Sequence, residues 1–431
     1  MIYLFVLINI LYVILSFKYY KAKVNPISLY SIMWVALTIL YEIKLVYYYD
    51  LTMYTWLIII IFQIVYNIGC VLGKKQYRNN RFNKQDSNIA AKGSSERDLR
   101  IAIIILSLLT SISTISNILI AVRSYGFNLL EYTNQIYVDR LAGDIDTGIP
   151  YLGSFVYPAL IYAGFYFEKF GFKKIILLPV LLLALGGLKT GGRLGILIGA
   201  FLLLVPIILQ RGRVIKEKVR KVKGRKGKNI KILISSSILI ALFITITNNR
   251  ASWETYNPYM SPLMVKVLEY NPAIYQIYTY ITLPLGVLNE FLKDPTLNFG
   301  GHTFLTIYNL LNRLGADISV NQYQTFYNVP LPSNVGTYIR ELIEDFSIPL
   351  ALMVTLITGL ILSYNYSKFR NDGLYMNLIW ASTFAFVIFF SFFMWQFRSS
   401  TIWITIVVGS ISGYILDQRH KKRLKRYEFK E

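Results

Sequence analysis

The sequence predicts an all-α polytopic membrane protein with about eleven transmembrane helices, and three observations predict it. The 431 residues are 55% hydrophobic and only 16% charged, with a mean hydropathy of +0.46, whereas a soluble domain carries about 25% charged residues. Uncharged apolar runs recur along the chain at lengths near what a helix needs to cross about 30 Å of hydrocarbon. Basic residues gather in alternate connecting segments, the asymmetry that fixes the orientation of membrane helices. Inside hydrocarbon every backbone polar group must be satisfied within its own segment, which selects helices. A net charge of +22 would suggest a nucleic-acid partner in a soluble chain. Here the cations sit in the segments expected to be cytoplasmic, so membrane lipid is the expected partner and nucleic acid is not.

The expected spans cover 2–17, 27–46, 55–73, 101–122, 150–167, 174–188, 194–210, 231–247, 347–364, 374–394 and 401–416. The run Ile2 to Phe17 has no basic residues ahead of it and no small-residue cleavage pattern, so it reads as a retained span. Lys18, Lys21 and Lys23 follow it and place the N-terminus outside. Residues 74–100 then carry eight basic against three acidic side chains, and Arg211 to Lys231 carry eleven against Glu217 alone. The tail from Asp417 carries seven against three. Residues 123–149 reverse the balance, with two basic and four acidic, as does 248–346 with five and eight. This alternation makes 211–230 a basic cytoplasmic loop, 248–346 the large extracytoplasmic loop between spans eight and nine, and the C-terminus cytoplasmic. The chain reads as a single integral membrane domain, 1–431. No low-complexity tract or internal repeat stands out.

Residues 169–174 and 211–231 are both basic and expected to be cytoplasmic, so the chain between them must cross the membrane and return. The reversal falls at Lys189-Thr190-Gly191-Gly192-Arg193, where glycine permits a tight turn. Gly187, Gly191, Gly195 and Gly199 recur every fourth residue, a spacing that favours close helix approach. Within 248–346 the uncharged run Ala273 to Leu288, flanked and interrupted by Pro272 and Pro284, reads as interfacial or re-entrant. Counting it as a span would invert the charge pattern downstream.

The outer-face ionisable groups are the candidates for chemistry. A guanidinium near a bilayer costs about 2.5–3.5 kcal/mol at the helix centre. Arg193 therefore reads either as a snorkelling anchor or as an anion contact. Arg250 follows the eighth span and Arg340 precedes the ninth. Three guanidiniums around one pocket would suit a diphosphate. Glu341, Glu344 and Asp345 follow Arg340 within about one and a half helical turns, with Glu341 and Asp345 on one face. Such carboxylates either favour a helix N-terminus or serve as a base toward a sugar hydroxyl. His302, in Gly300-Gly301-His302-Thr303, is the only histidine of the outer loop and a second candidate base. His420 falls in the basic tail, and Cys70 reads as a small buried hydrophobe. One cysteine and two distant histidines give no metal site and no disulfide, and no cofactor is expected.

Thr190-Gly191-Gly192-Arg193 between two spans, Phe299-Gly300-Gly301-His302-Thr303-Phe304 in the large loop, and Asn334-Val335-Gly336-Thr337 through Asp345-Phe346 before the ninth span together resemble the Wzy-type oligosaccharide repeat-unit polymerases of O-antigen and capsular polysaccharide synthesis. Ser347-Ile348-Pro349 stands where that family more often has glycine after Asp-Phe. The resemblance implies a GT-C-like membrane glycosyltransferase of the bacterial cytoplasmic membrane. It would use no nucleotide sugar and would join undecaprenyl-diphosphate-linked oligosaccharide repeat units on the outer face. It further implies catalytic parts for Asp345, Glu341 and His302, diphosphate contacts from Arg193, Arg250 and Arg340, and a chain-length regulator protein as a further partner. A lipid-linked oligosaccharide flippase or an O-antigen ligase are the competing readings. The flippase would show two similar halves and charges deep in several spans.

Overall fold

The computed structural model describes residues 1–82, 95–142, 144, 149, 151–190, 193–211, 243–249, 256–319 and 324–428. The chain is mostly helical, and among the described residues six helices are long and apolar enough to cross a membrane. These are Ile2–Tyr20 (α1), Met53–Asn80 of α3 (Met53–Phe82), Glu96–Tyr125 (α4), Leu194–Arg211 (α8), Tyr338–Asp372 (α12) and Ser400–Arg423 of α14 (Ser400–Glu428). Pro26–Glu42 (α2), Lys174–Gly187 at α7 (Leu177–Thr190) and Tyr375–Phe389 (α13) are shorter and apolar. Between them lie α5 (Thr133–Ala142), α6 (Val156–Phe170), α9 (Pro262–Tyr270), α10 (Pro272–Phe291) and α11 (Leu305–Arg313). A two-stranded antiparallel hairpin, β1 (Tyr327–Asn328) with β2 (Pro332–Ser333), is the one sheet among the described residues.

Several spans differ from expectation for local reasons. α2 begins where expected, because Asn25 and Ser28 cap each other's backbone and Pro26 opens the helix. It stops at Glu42 rather than 46, because Leu45 to Tyr47 pair in extended form with Tyr259, Met260 and Ser261. α6 starts at Val156, after a short 3-10 turn at Leu152–Phe155. α12 starts nine residues ahead of the expected 347 and continues to Asp372. Of the expected span 231–247, residues 243–247 are described, as part of a helical stretch 243–249, and the rest lies outside the described residues. The run Ala273 to Leu288 is the body of α10, which packs on α2 with Leu285, Val287, Leu288 and Phe291 fully buried. It is therefore interior helix rather than a surface-lying segment.

The chain divides into two compact units. The first comprises residues 1–83, 254–367 and 384–403. Its helices show the pattern that lipid imposes, polar inside and apolar outside. On α1, Asn9 is buried and its amide pairs with Gln63 of α3, while Tyr3, Leu4, Leu7, Ile10, Leu11, Ile14 and Leu15 are exposed. In water this would be inverted; between helices in lipid, amide pairs act as the glue. α3 and α12 approach closely through glycine. A Cβ on Gly69 would lie 2.1 Å from the Leu356 carbonyl oxygen, and one on Gly359 2.4 Å from that of Tyr66. Gly69→Val is accordingly expected to force the two helices apart and to cost about 1–3 kcal/mol. A melting temperature unchanged in detergent would contradict that close approach.

α12 is broken at Ser347, whose φ of 60° and ψ of 170° lie outside the helical region. A side chain at positive φ is strained by about 1–3 kcal/mol. The site where the resembled family more often carries glycine is thus the site where glycine would be relaxed. Ser347→Gly is expected to raise stability by about 1 kcal/mol, the strain relieved exceeding the entropy glycine adds to the unfolded chain. A lowered melting temperature would count against strain at this residue.

The second unit comprises 84–253, 368–383 and 404–431. α7 ends at Thr190 and α8 begins at Leu194, so the helix break falls where the glycine pair predicts it. A Cβ on Gly199 would strike Leu183 at 2.2 Å, so the two arms lie antiparallel and in contact. Gly164 of α6 meets the Leu203 carbonyl of α8 in the same manner. Asp417 of α14 accepts from the backbone N–H groups of Tyr375 and Met376 and so caps α13.

Candidate functional site

The first turns of α12 carry Arg340, Glu341, Glu344 and Asp345, all buried. The start of this helix is fixed from several sides. The Tyr338 N–H donates to the Ser391 carbonyl at 2.8 Å, and the Tyr338 hydroxyl pairs with that of Tyr30 at 2.6 Å. Phe62, Trp34 and Trp395 surround the Tyr338 ring. Gly336 is required because a Cβ there would meet the Arg340 side chain at 2.4 Å. The Asn334-Val335-Gly336-Thr337 stretch is thus the seat on which Arg340 folds back.

Asp345 binds the loop that precedes α11. Its Oδ1 accepts from the His302 N–H at 2.9 Å, and its Oδ2 accepts from the Thr303 N–H at 2.7 Å and the Thr303 hydroxyl at 2.6 Å. The carbonyls of Glu344 and Asp345 accept from the N–H groups of Asn298 and Gly300. The loop reaches this position through Phe299 and Gly300, both at positive φ, and Gly301 lies tight on the Asn298 side chain. The geometry gives Asp345 a holding part, since both its oxygens are engaged in shaping the turn that presents His302.

Glu344 joins two cations. Its Oε2 lies 3.0 Å from His302 Nε2, and its Oε1 accepts from Arg340 Nη2 at 3.4 Å. Arg340 is completely buried; it also donates to the Asn334 and Thr325 carbonyls, and its guanidinium lies over the Phe291 and Tyr327 rings. Its Nε and the Nδ1 of His302 are buried without a hydrogen-bond partner. Glu341 organises a second cation. It accepts from the Trp395 N–H at 2.5 Å, from the Gln324 side-chain amide, and from Arg398 Nη1 at 3.3 Å. Arg398 is the more open of the two arginines, with 18% of its side chain exposed against 0% for Arg340.

Three carboxylates, two guanidiniums and one imidazole thus share one buried network, and a proton on His302 balances the charge. Burial works against that proton, but the hydrogen bond His302 donates to Glu344 and the Glu341 and Asp345 carboxylates outweigh it, and the pKa of His302 is raised above its ordinary value. A raised pKa stabilises the fold fully below the unfolded value of about 6.5. That stabilisation is lost as pH rises through the higher folded value. The melting temperature of the wild-type protein should exceed that of His302→Gln most at acid pH, with the gap narrowing as pH is raised through neutrality. A gap independent of pH would mean that His302 carries no charge in the fold.

Of the six residues singled out from sequence, the structure brings together His302, Arg340, Glu341 and Asp345. Arg193 lies in the second unit, partly buried, immediately ahead of α8. Arg250 lies outside the described residues. Glu344, Arg398, Gln324 and Trp395 complete the network and were not among the six. Glu344 was visible as one of the acids following Arg340, but nothing in its spacing marked it as the link between two cations. Arg398 falls in the short connection between the last two expected spans, which the topology places outside, so its position was legible although its pairing was not. No protein-family model, curated protein or solved structure matches this chain.

Proposed function

We propose that the protein is a membrane glycosyltransferase that polymerises undecaprenyl-diphosphate-linked oligosaccharide repeat units on the outer face of the cytoplasmic membrane. The observation that carries this reading is the buried network of His302, Glu344, Arg340, Glu341 and Arg398 at the head of a long apolar helix. A structural ion cluster alone gives no reason for an imidazole nitrogen, Nδ1 of His302, to be held without a partner.

In the proposed reaction the acceptor is a single lipid-linked unit, and its terminal sugar hydroxyl attacks the anomeric carbon of the donor glycan. The bond from that carbon to the donor's diphosphate breaks, and the lipid diphosphate leaves with the electron pair. In its neutral form, with the one ring proton on Nε2 toward Glu344, His302 takes the hydroxyl proton on Nδ1, and Glu344 favours the imidazolium that forms. A base with a pKa near the working pH suits this task. Asp345 holds the His302 turn in place, and Glu341 orients Arg398. Arg398 neutralises the leaving diphosphate, where charge develops, Arg340 acts through Glu344, and the diphosphate contacts that the resemblance implies for Arg193 and Arg250 are tested by substitution. No metal or other cofactor enters the scheme. A protein that regulates chain length is a natural partner for such an enzyme.

Deleting the gene and examining the surface glycan tests the assignment. Glycans carrying a single repeat unit are expected. Complete loss of displayed glycan would point instead to a flippase, and long chains stranded on the lipid carrier to a ligase. Arg193→Ala and Arg250→Ala are expected to reproduce the single-unit product with the protein present in the membrane at wild-type level.

A further inference from the structure

α11 carries a feature that the proposed reaction does not use. Ile307, Leu310, Leu311 and Leu314 recur at the spacing of one helical face. All four are exposed, at 40%, 48%, 39% and 77%. Thr306, Asn309 and Arg313 fall on other faces, and no residue of the helix is buried. A continuous apolar stripe of this kind is not left open to water.

The root of the helix indicates what covers it. Phe304, the residue before α11, packs edge-on against Phe346 of α12, with ring centroids 6.0 Å apart. The backbone of the same turn is bonded to the carbonyls of Glu344 and Asp345. Directly past Phe346 the exposed apolar series of α12 begins, with Leu350 at 52%, Met353 at 56% and Ile357 at 41%. Leu350 is four residues past Phe346, across the break at Ser347, and so within about 14 Å of it even for an extended chain. α11 therefore springs from the level at which α12 begins to face hydrocarbon. A nine-residue amphipathic helix rooted there is placed to lay its apolar stripe against the same hydrocarbon, and Arg313 in its last turn suits the phosphate layer. Phe299 in the adjoining turn is also 80% exposed.

We propose that α11 lies in the membrane–water interface, with Ile307, Leu310, Leu311 and Leu314 inserted at the tops of the acyl chains. The occupant of this face is the bilayer itself. The helix thereby tethers to the membrane surface the turn that carries His302, whatever reaction that histidine serves.

Site-directed spin labelling of the full chain tests the placement. Cys70 is buried and would be replaced by alanine, and single cysteines would be introduced at Leu311, at Ile307 as a second stripe position, and at Asn309. The labelled protein would be reconstituted in phosphatidylcholine–phosphatidylglycerol vesicles. Collision rates would be measured with oxygen, which concentrates in lipid, and with a water-soluble nickel chelate. Labels at 307 and 311 are expected to show an oxygen-to-nickel collision ratio several-fold above that at 309. Equal nickel accessibility at the three positions would place the stripe in water and overturn the proposal. Protection of 307 and 311 from both reagents would overturn it too, by showing that protein, such as a second copy of this chain, covers the face.

Discussion

Glu344→Ala is expected to destabilise the protein severely. Glu344 is the carboxylate that touches both His302 and Arg340, and all three side chains are nearly or fully buried. Removing one partner of a buried ion pair leaves the other charge without its counterion in a medium that solvates it poorly, at a cost of about 3–5 kcal/mol. Typical domain stabilities are about 5–15 kcal/mol, so this single change consumes much of the margin. The cost is not spread evenly. Arg340 keeps its two carbonyl acceptors at Asn334 and Thr325, whereas His302 loses the partner of Nε2. The variant should therefore shed the proton on His302 and lose the raised pKa along with stability. Glu344→Gln retains the shape and an oxygen acceptor and should lie between the alanine variant and wild type. Thermal unfolding and monodispersity in detergent would report the series. A Glu344→Ala protein that melts within a degree or so of wild type would mean that the network is not held together by this carboxylate.

The sequence conveys the lipid-facing parts of this molecule well and the buried polar parts poorly, for a physical reason. An apolar run long enough to span hydrocarbon is a local property, so α1, α3, α4, α8 and α14 can be read directly. The break between α7 and α8 is equally local, since two adjacent glycines are visible in the chain. Where a helix ends because of a distant partner, the reading drifts. α2 stops at Glu42 because residues near 260 pair with the chain just beyond it. α12 starts at Tyr338 because Ser391, Tyr30 and Trp395 hold it there. Acidic residues before an apolar run look like a helix start exposed to water. Their partners, His302 and Arg398, lie 42 and 57 residues away in the chain. The same limit applied to glycine. Gly69 and Gly73 are four apart, the spacing that favours close approach, but only the fold identifies α12 as the helix whose backbone they meet.

Arg398→Ala is expected to abolish chain growth while leaving an inserted, folded protein. The argument rests on the unequal placement of the two arginines in the network. Arg340 is fully enclosed and engaged by three acceptors, so its loss should be felt mainly as instability. Arg398 is partly exposed, and the carboxylate of Glu341 keeps the Trp395 N–H and the Gln324 amide when the guanidinium is removed. Folding therefore survives its loss better than that of Arg340. A cation stabilising a leaving diphosphate, in contrast, acts in the transition state, where removing one such group typically lowers the rate by about 100- to 1,000-fold. Arg398→Lys keeps the charge but not the planar fork that matches phosphate and carboxylate oxygens, so partial activity and shorter polymer are expected. Pairing Arg398→Ala with Glu341→Gln separates the two effects. Neutralising the stranded carboxylate should recover any stability lost, but not polymer length. Glycan profiles from cells carrying these variants, normalised to membrane-inserted protein, decide the matter. Wild-type polymer length from Arg398→Ala, or recovery of polymer in the double variant, would assign Arg398 to the scaffold and leave the leaving group to other cations.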